Sequence, residues 1–417
     1  MSSYLAATGA GSIDELAQTK AIREAMRWFT REKQWINELH LELCRIPAPT
    51  FLEHQRAEWI AGQFRSFGWE VQIDRAGNVL AFLDPTWRGP FVALTAHLDT
   101  VLAPKTKEDV SVSADGRFVG PGVSDNGAGL AALLAIAKAL KTGPPLESSH
   151  SSLVMVANVG EEGEGNLSGM RHICRPNGLA KRICSFIVLD GAATEHITIQ
   201  ALGSRRFEVS FTGPGGHSWS DYGTGNPVHA LSRAVSLISD VKLNGNPRSS
   251  LNVGILEGGT GVNAIPAAAK AKVDIRSESN QKMDELVGLL AEAVDRAQSV
   301  ENERSVTGKV TGRIREIGSR PAGRIPDGAA VLEYLKAVDA YLGIRSHFDC
   351  ASTDANVPLS LGIPAVSIGA GGQGGGAHTT QEWFLPERRD LALKRILLTL
   401  GLLMRDAQVA EGCERRP

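Results

Sequence analysis

The chain reads as a discontinuous α/β catalytic domain interrupted by a smaller α+β domain, and three observations lead there. Apolar strand-like runs alternate with helical patterns through the first half. The texture between residues 204 and 317 changes to alternating, half-exposed strands. After residue 318 the α/β character returns. At 417 residues the chain exceeds the size at which a single core keeps growing, so more than one folding unit is expected.

The elements follow in order. After a Gly/Ser-rich start, Leu16, Ile22, Met26, Phe29, Ile36, Leu39 and Leu43 recur at helical spacing until Pro47 and Pro49, which predicts one long helix or two shorter ones. A further amphipathic helix through Trp59, Phe64 and Phe67 stops at Gly68, and EVQIDRAGNVLAFL reads as two strands joined at a Gly-Asn turn. FVALTAHL is almost continuously apolar, as a central strand covered on both faces must be. Gly127 opens a helix, and SLVMVANV and FIVLD are further buried strands of a mostly parallel sheet.

From RRFEVSFTG onward the pattern is strand, helix (Pro227 to Val241), strand (Ser250 to Leu256), strand (Ala269 to Arg276), helix (Lys282 to Ala297), strand (Gly308 to Ile317). That β-α-β-β-α-β order is ferredoxin-like. A helix from Ala329, the strand PAVSIG and a terminal helix from Leu391 complete the first domain. The expected domains are therefore 1–203 with 318–417, and an insertion at 204–317.

Composition narrows function. The chain is 42% hydrophobic and 22% charged with a net charge of −2, an ordinary globular balance that offers no strong attraction to nucleic acid or to an anionic membrane. Five scattered cysteines without CxxC spacing indicate neither a disulfide framework nor a thiolate zinc site. With no basic-then-apolar leader and no run near about 18 apolar residues, the expectation is a cytoplasmic protein.

Chemistry gathers at predicted strand ends. His97 and Asp99 stand at i and i+2 at the carboxyl end of a central strand, where open α/β sheets bind ligands. Imidazole suits zinc and a nearby carboxylate can orient it, although an HxD pair alone is more often mere local hydrogen bonding. GPGVSDNGAG sets Asp125 in a glycine loop just before a helix, where an ordinary cap would look the same. VMVANVGEEGEG ends a buried strand in Glu161 and Glu162, adjacent like charges that are costly to desolvate unless a cation joins them. FIVLD ends in Asp190, and GAGGQGGGAHTTQEW carries His378 with Glu382 four residues on. Two histidines and several carboxylates form a donor set that two zinc ions could share.

Taken in order, ALTAHLDTV, GPGVSDNGAG, NVGEEGEG, IVLDG, GPGGHS, GGTGVNAIP, DIRS, STDAN and AHTTQE resemble the M20 family of metallopeptidases, over nearly the whole chain. That family includes peptidase T-like aminotripeptidases, glutamate carboxypeptidases, aminoacylases and succinyl-diaminopimelate desuccinylase. The resemblance implies two Zn2+ per subunit, with Co2+ or Mn2+ as substitutes. His97 and Asp190 would hold one ion, Glu162 and His378 the other, and Asp125 would bridge. It implies Asp99 as the group orienting His97, Glu161 as general base, His217 as transition-state stabiliser, and Asn263 and Arg276 as groups that hold substrate oxygens. It further implies a cis peptide bond between Asp125 and Asn126, and a homodimer formed through the inserted domain.

Asp rather than Glu at position 190 resembles the peptidase T and carboxypeptidase branches. The expected substrate is therefore a short peptide, with an N-acyl- or N-carbamoyl-amino-acid amidohydrolase as the alternative. A silent binding protein of this fold would be expected to have lost Glu161 or a ligand, and all are present. A two-metal phosphoesterase is disfavoured because no Arg/Lys cluster accompanies the carboxylates.

Overall fold

The computed structural model describes residues 12–146, 150–243 and 245–415; the Gly/Ser-rich residues 1–11 lie outside them. The chain divides into two compact units, one built from Met1–Gln200 with Arg324–Pro417 and the other from Ala201–Gly323.

In the first unit a twisted mixed sheet runs in the order Glu70–Ile73, Val79–Phe82, Ser152–Asn158, Phe91–His97, Ile183–Leu189, Ala365–Ile368, His196–Ala201. Its middle is parallel: Phe91–His97 pairs in parallel with Ser152–Asn158 on one side and Ile183–Leu189 on the other, and Ala365–Ile368 continues the parallel run. All three central strands are buried at every residue, as their unbroken apolar sequences demand. The flanking strands are antiparallel. Parallel neighbours end on the same edge, so the residues that follow His97, Asn158 and Leu189 are delivered side by side.

Helix Gly127–Thr142 is buried nearly all round, because it lies between the sheet and the helices Lys20–Arg31 and Lys33–Cys44. Where the spacing predicts one or two helices across 14–46, there are three: Ile13–Gln18, Lys20–Arg31 and Lys33–Cys44. The breaks are local. Thr19 turns extended (ψ 143°) with its hydroxyl donating to the Leu16 carbonyl at 2.7 Å, and Glu32 leaves the helical region at φ −98°, ψ 28°. A small second sheet, Gln373–Gly375, Trp383–Leu385, Phe118–Val119 and Ser111–Val112, gives order to the glycine-rich segment around His378. Its strands are only two or three residues long, too short to leave a periodic signature.

The second unit is a four-stranded antiparallel sheet in the order Ser249–Gly258, Ala268–Ser277, Gly203–Thr212, Thr311–Arg320. Helices Pro227–Ser239 and Asn280–Arg304 cover one face and close a core around Phe207, Phe211, Leu231, Ile275, Leu286 and Leu290. The Asn226 side chain caps the first helix, and the buried Glu301 carboxylate binds Arg304, Arg233 and the Asn226 amide together. Among the described residues no helix is long and apolar enough to cross a membrane.

One buried ion pair ties the last long helix into the first unit. Arg395 donates to both Asp339 oxygens, at 2.5 and 2.7 Å, and to the Thr194 carbonyl at 2.8 Å. Neither partner has water to fall back on. Arg395→Ala should therefore lower unfolding stability by about 3–5 kcal/mol, since it strands a buried carboxylate, whereas the double replacement Arg395→Met with Asp339→Leu should lose much less. Urea unfolding midpoints of the two variants check this; equal losses would refute it.

Candidate metal and catalytic site

Three neighbouring strand ends build the site. His97 is the last residue of its strand, register-paired with Asn158. Thr95 lies opposite Val188, so Asp190 falls level with His97 on the other side. Between Asn158 and the two glutamates the chain must reverse, and Gly160 does so at φ 64°, where a Cβ would strike Ser168 Oγ.

The turn has no regular ladder, and side chains from elsewhere take its amides one after another. Val159 N–H donates to Asn78 Oδ1 (3.0 Å), Gly160 to Glu53 Oε1 (3.1 Å), Glu161 to Asp99 Oδ1 (2.9 Å) and Glu162 to Asp99 Oδ2 (2.9 Å). Thr50 Oγ1 donates to Asp99 as well, at 2.9 Å. The contact that orients His97 is thus made by the main-chain carbonyl of Asp99, 2.9 Å from Nδ1, while the carboxylate stands at 3.6 Å and holds the glutamate turn instead.

Asp125 is fixed from two directions. Glu382 accepts the amides of Gly122, Ser124 and Asp125 at 2.9, 2.7 and 2.8 Å. Asn126 caps helix Gly127–Thr142 and donates through Nδ2 to the Leu189 carbonyl at 2.8 Å, which joins the loop to the strand end that carries Asp190. The Asp125–Asn126 peptide bond is cis, as the family resemblance implies.

The ligating atoms then converge. Asp125 Oδ1 lies 3.1 Å from His97 Nε2, and Oδ2 lies 3.1 Å from His378 Nε2, which is also 2.9 Å from Glu162 Oε1. One donor atom each from His97, Asp125 and Glu162 falls within 4.8 Å of the others. His97 Nδ1 faces a carbonyl, which only accepts, so one ring hydrogen sits there and Nε2 is the nitrogen turned to Asp125. A second proton on Nε2 satisfies that contact in the metal-free protein, and its loss frees a lone pair for a metal ion. Each Asp125 oxygen faces a different imidazole, so this donor set suits metal ions held by the carboxylate and the two histidines.

The electrostatics agree. Burial would raise Asp125, yet hydrogen bonds from His378 and His97 hold its carboxyl well below the usual range. Burial drives Glu162 up to about 7, reinforced by Glu161 and Asp125, and Asp190 is pushed well above its ordinary value by burial and then by Asp125. His97 is raised despite its burial by the hydrogen bond to Asp125 and by the nearby Asp99 carboxylate. Asp354, from the STDAN segment, is fully buried, accepts from Asn158 Nδ2 at 2.6 Å and is lifted to about 7 by burial and Glu161. This excess of buried carboxyl groups takes up protons unless metal ions discharge it.

The sequence profile of peptidase family M20/M25/M40 matches residues 93–400. The chain belongs to that family. It is a hydrolase acting on peptide or amide bonds. Protein YqjE of Bacillus subtilis strain 168, itself uncharacterized, is 25% identical over 358 residues, covering 82% of this chain and 91% of its own. The cytosol non-specific dipeptidase of Escherichia coli K12 is 28% identical over 285 residues, 61% of this chain and 56% of the relative. Among solved structures, aminopeptidase PepT from Bacillus cereus shares the fold at a TM-score of 0.71 and 21% identity, over 88% of this chain and 98% of that one.

The second unit carries the other three candidates. Gly216–His217 pairs with Ala264–Ile265, and Ser218 N–H donates to the Asn263 carbonyl at 2.9 Å, so His217 and Asn263 share one end of a short two-stranded ladder. The amides of Trp219 and Ser220 point at His217 Nδ1, both at 3.3 Å, which leaves the ring hydrogen on Nε2. Arg276 is not with them. It lies eight residues along strand Ala268–Ser277 from Ala268, roughly 26 Å at the usual rise, and donates to Asp274 at 2.7 Å.

Glu53 and Asn78 are supporting residues that sequence reasoning gave no role. Asn126 carried a signal as a candidate helix cap, which it is, and Glu382 by its place four residues after His378.

His378 yields a pH test. Hydrogen bonding to Asp125 raises it to about 9, against an ordinary value of 6.5. In metal-free protein its contribution to stability is complete below pH 6.5 and disappears as pH rises through about 9. The same proton must leave before the imidazole can ligate, so zinc affinity should climb from pH 6.5 to 9, by about tenfold per unit for each proton displaced. Zinc titrations across that range, with proton release followed calorimetrically, should show this; affinity independent of pH would exclude it.

Proposed function

We propose that the protein hydrolyses amide bonds in small substrates bearing a free carboxylate, short peptides foremost, using two zinc ions per subunit. His97 and Asp190 would hold one, Glu162 and His378 the other, with Asp125 between. The observation that carries this reading is Asp125, whose two oxygens face two different imidazoles at the same 3.1 Å. The ions, when bound, would polarise the scissile carbonyl and make the attacking water more acidic.

Glu161 is the base. Its turn is pinned by Asp99, its side chain is 5% exposed, and it stands next to a ligand without being needed as one. It accepts a proton from the attacking water as oxygen bonds to the carbonyl carbon, and returns that proton to the amine nitrogen as the C–N bond breaks. The His217 Nε2–H is suited to donate to the developing oxyanion. The guanidinium of Arg276 suits a carboxylate, whose two oxygens it can bind at once. The dipeptidase relative supports peptides as substrates, and a panel of dipeptides, tripeptides, N-acyl and N-carbamoyl amino acids decides against the amidohydrolase alternative.

Arg276 stands roughly 26 Å along its strand from Ala268, the end that adjoins the His217 ladder, more than a small substrate spans. This supports a dimer in which the partner's His217 and the partner's Asn263 complete a site served by Arg276 of the other chain. The strand Ser249–Gly258 is a sheet edge with Ile255 and Leu256 exposed, and two such edges can pair about a two-fold axis.

Two experiments test these assignments. Glu161→Ala should keep both metal ions yet lose about 10²- to 10⁴-fold in turnover; near-normal turnover, or loss of a metal ion, would refute the role. Mixing Glu161→Ala with His217→Ala protein should restore activity in mixed dimers, where one site has an intact base and an intact partner histidine. Absence of recovery with subunit exchange confirmed, or a monomeric mass in solution, would sink action in trans.

A further inference from the structure

Behind the Asp125 loop lies a buried polar chain that the hydrolytic scheme leaves unused. His40, on helix Lys33–Cys44, and Arg389, at the start of helix Arg389–Arg405, are 0% and 4% exposed. Arg389 Nη2 donates to His40 Nδ1 at 2.7 Å, and His40 Nε2 lies 2.7 Å from the Val123 carbonyl oxygen. A guanidinium only donates and a carbonyl only accepts, so the ring must be neutral with its hydrogen on Nε2, aimed at Val123. Burial and the neighbouring Arg389 charge keep it neutral by holding its pKa well below 6.5. The rings of Phe118 and Phe384 stand 5.3 and 4.8 Å from the imidazole, and the Arg389 guanidinium sits 4.5 Å from the Phe384 ring.

Val123 precedes Asp125 by two residues, and other groups of the same loop are already held. Glu382 has the amides of Gly122, Ser124 and Asp125, and the Gly122 carbonyl accepts from Gly127 N–H at 2.8 Å and from Cys44 Sγ at 3.5 Å. The fit is close enough that a Cβ on Gly127 would stand 2.9 Å from His40 Nε2 and strike Cys44 Sγ. Well-packed apolar residues in place of Arg389 and His40 could fill this space without desolvating a cation. What the polar pair supplies is a directional bond to one carbonyl.

We infer that Arg389 and His40 are positioning residues for metal binding: through the Val123 carbonyl they set the pitch of the loop and hold the Asp125 carboxylate between His97 and His378. Glu382 grips the loop by its amides and His40 by its carbonyl, so the loop cannot rotate about either set alone. The inference rests on Asp125 being a metal ligand.

Three substitutions at His40 in the full chain separate positioning from packing. His40→Gln can keep a donor near Nε2, His40→Asn keeps only an acceptor near Nδ1, and His40→Leu keeps neither. Zinc affinity by chelator competition and the visible spectrum of the cobalt-loaded protein are the readouts, with thermal unfolding of the metal-free protein alongside. His40→Leu and His40→Asn should lose about 10- to 100-fold in zinc affinity, as disruption of supporting groups around a metal site does, and should show an altered cobalt spectrum. His40→Gln should stay within a few-fold of the parent. Parental affinity and spectrum in His40→Leu would overturn the inference. So would equal affinities in His40→Gln and His40→Asn, a comparison that still decides if the leucine variant does not fold. Asp125→Asn serves as the control. If it binds zinc as the parent does, the bridging assignment fails and takes this inference with it; if it is deficient while the His40 variants are normal, only the inference fails.

Discussion

Asp125 offers one oxygen to each of two histidines from distant parts of the chain, and this single carboxylate sets the constraint that the rest of the first unit satisfies. It lies among Glu161, Glu162, Asp190, Asp99 and Asp354, with only two imidazoles to offset them. Like charges brought out of water repel strongly, so such a group is tolerable only if cations enter or protons stay bound. Glu162, Asp190 and Asp354 are correspondingly pushed toward their neutral forms. Metal binding and proton release are therefore one event at this site.

The backbone around these charges is held mainly by side chains. The glutamate turn takes its hydrogen bonds from Asn78, Glu53 and Asp99, and the Asp125 loop from Glu382, Asn126 and His40. An irregular segment buried at a sheet edge has no ladder to join, and unpaired amides there would each cost about 1–3 kcal/mol. Polar residues in the surrounding shell meet that demand and at the same time fix where each ligand points. Asp99 serves in both capacities, through its carbonyl on His97 and its carboxylate under Glu161 and Glu162.

The second unit follows a different logic. Its ferredoxin-like sheet is stabilised by an ordinary apolar core, while His217 and Asn263 lie near one end of strand Ala268–Ser277 and Arg276 near the other. A strand is a rigid spacer, so the two ends cannot serve one small molecule. In the proposed dimer, pairing of two copies would bridge that separation and cover the exposed edge strand.

Much of this was legible in the amino-acid order. The continuous apolar runs before His97, Gly160 and Asp190 mark buried parallel strands, and residues that follow such strands share one edge whatever the intervening sequence. The strand-helix alternation across 204–317 likewise shows the second unit's elements. Helix breaks at Thr19 and Glu32 and the two- and three-residue strands around His378 were not legible, because each depends on one or two hydrogen bonds and leaves no period. Nor could sequence alone assign Glu53, Asn78, His40 or Arg389. Between 62 and 349 residues separate Asp99 from Glu161 and His40 from Arg389. Local pattern thus picked out the candidate residues; only tertiary structure decided which groups surround and orient them, because a hydrogen bond between distant segments forms at a distance and angle that no one-dimensional spacing records.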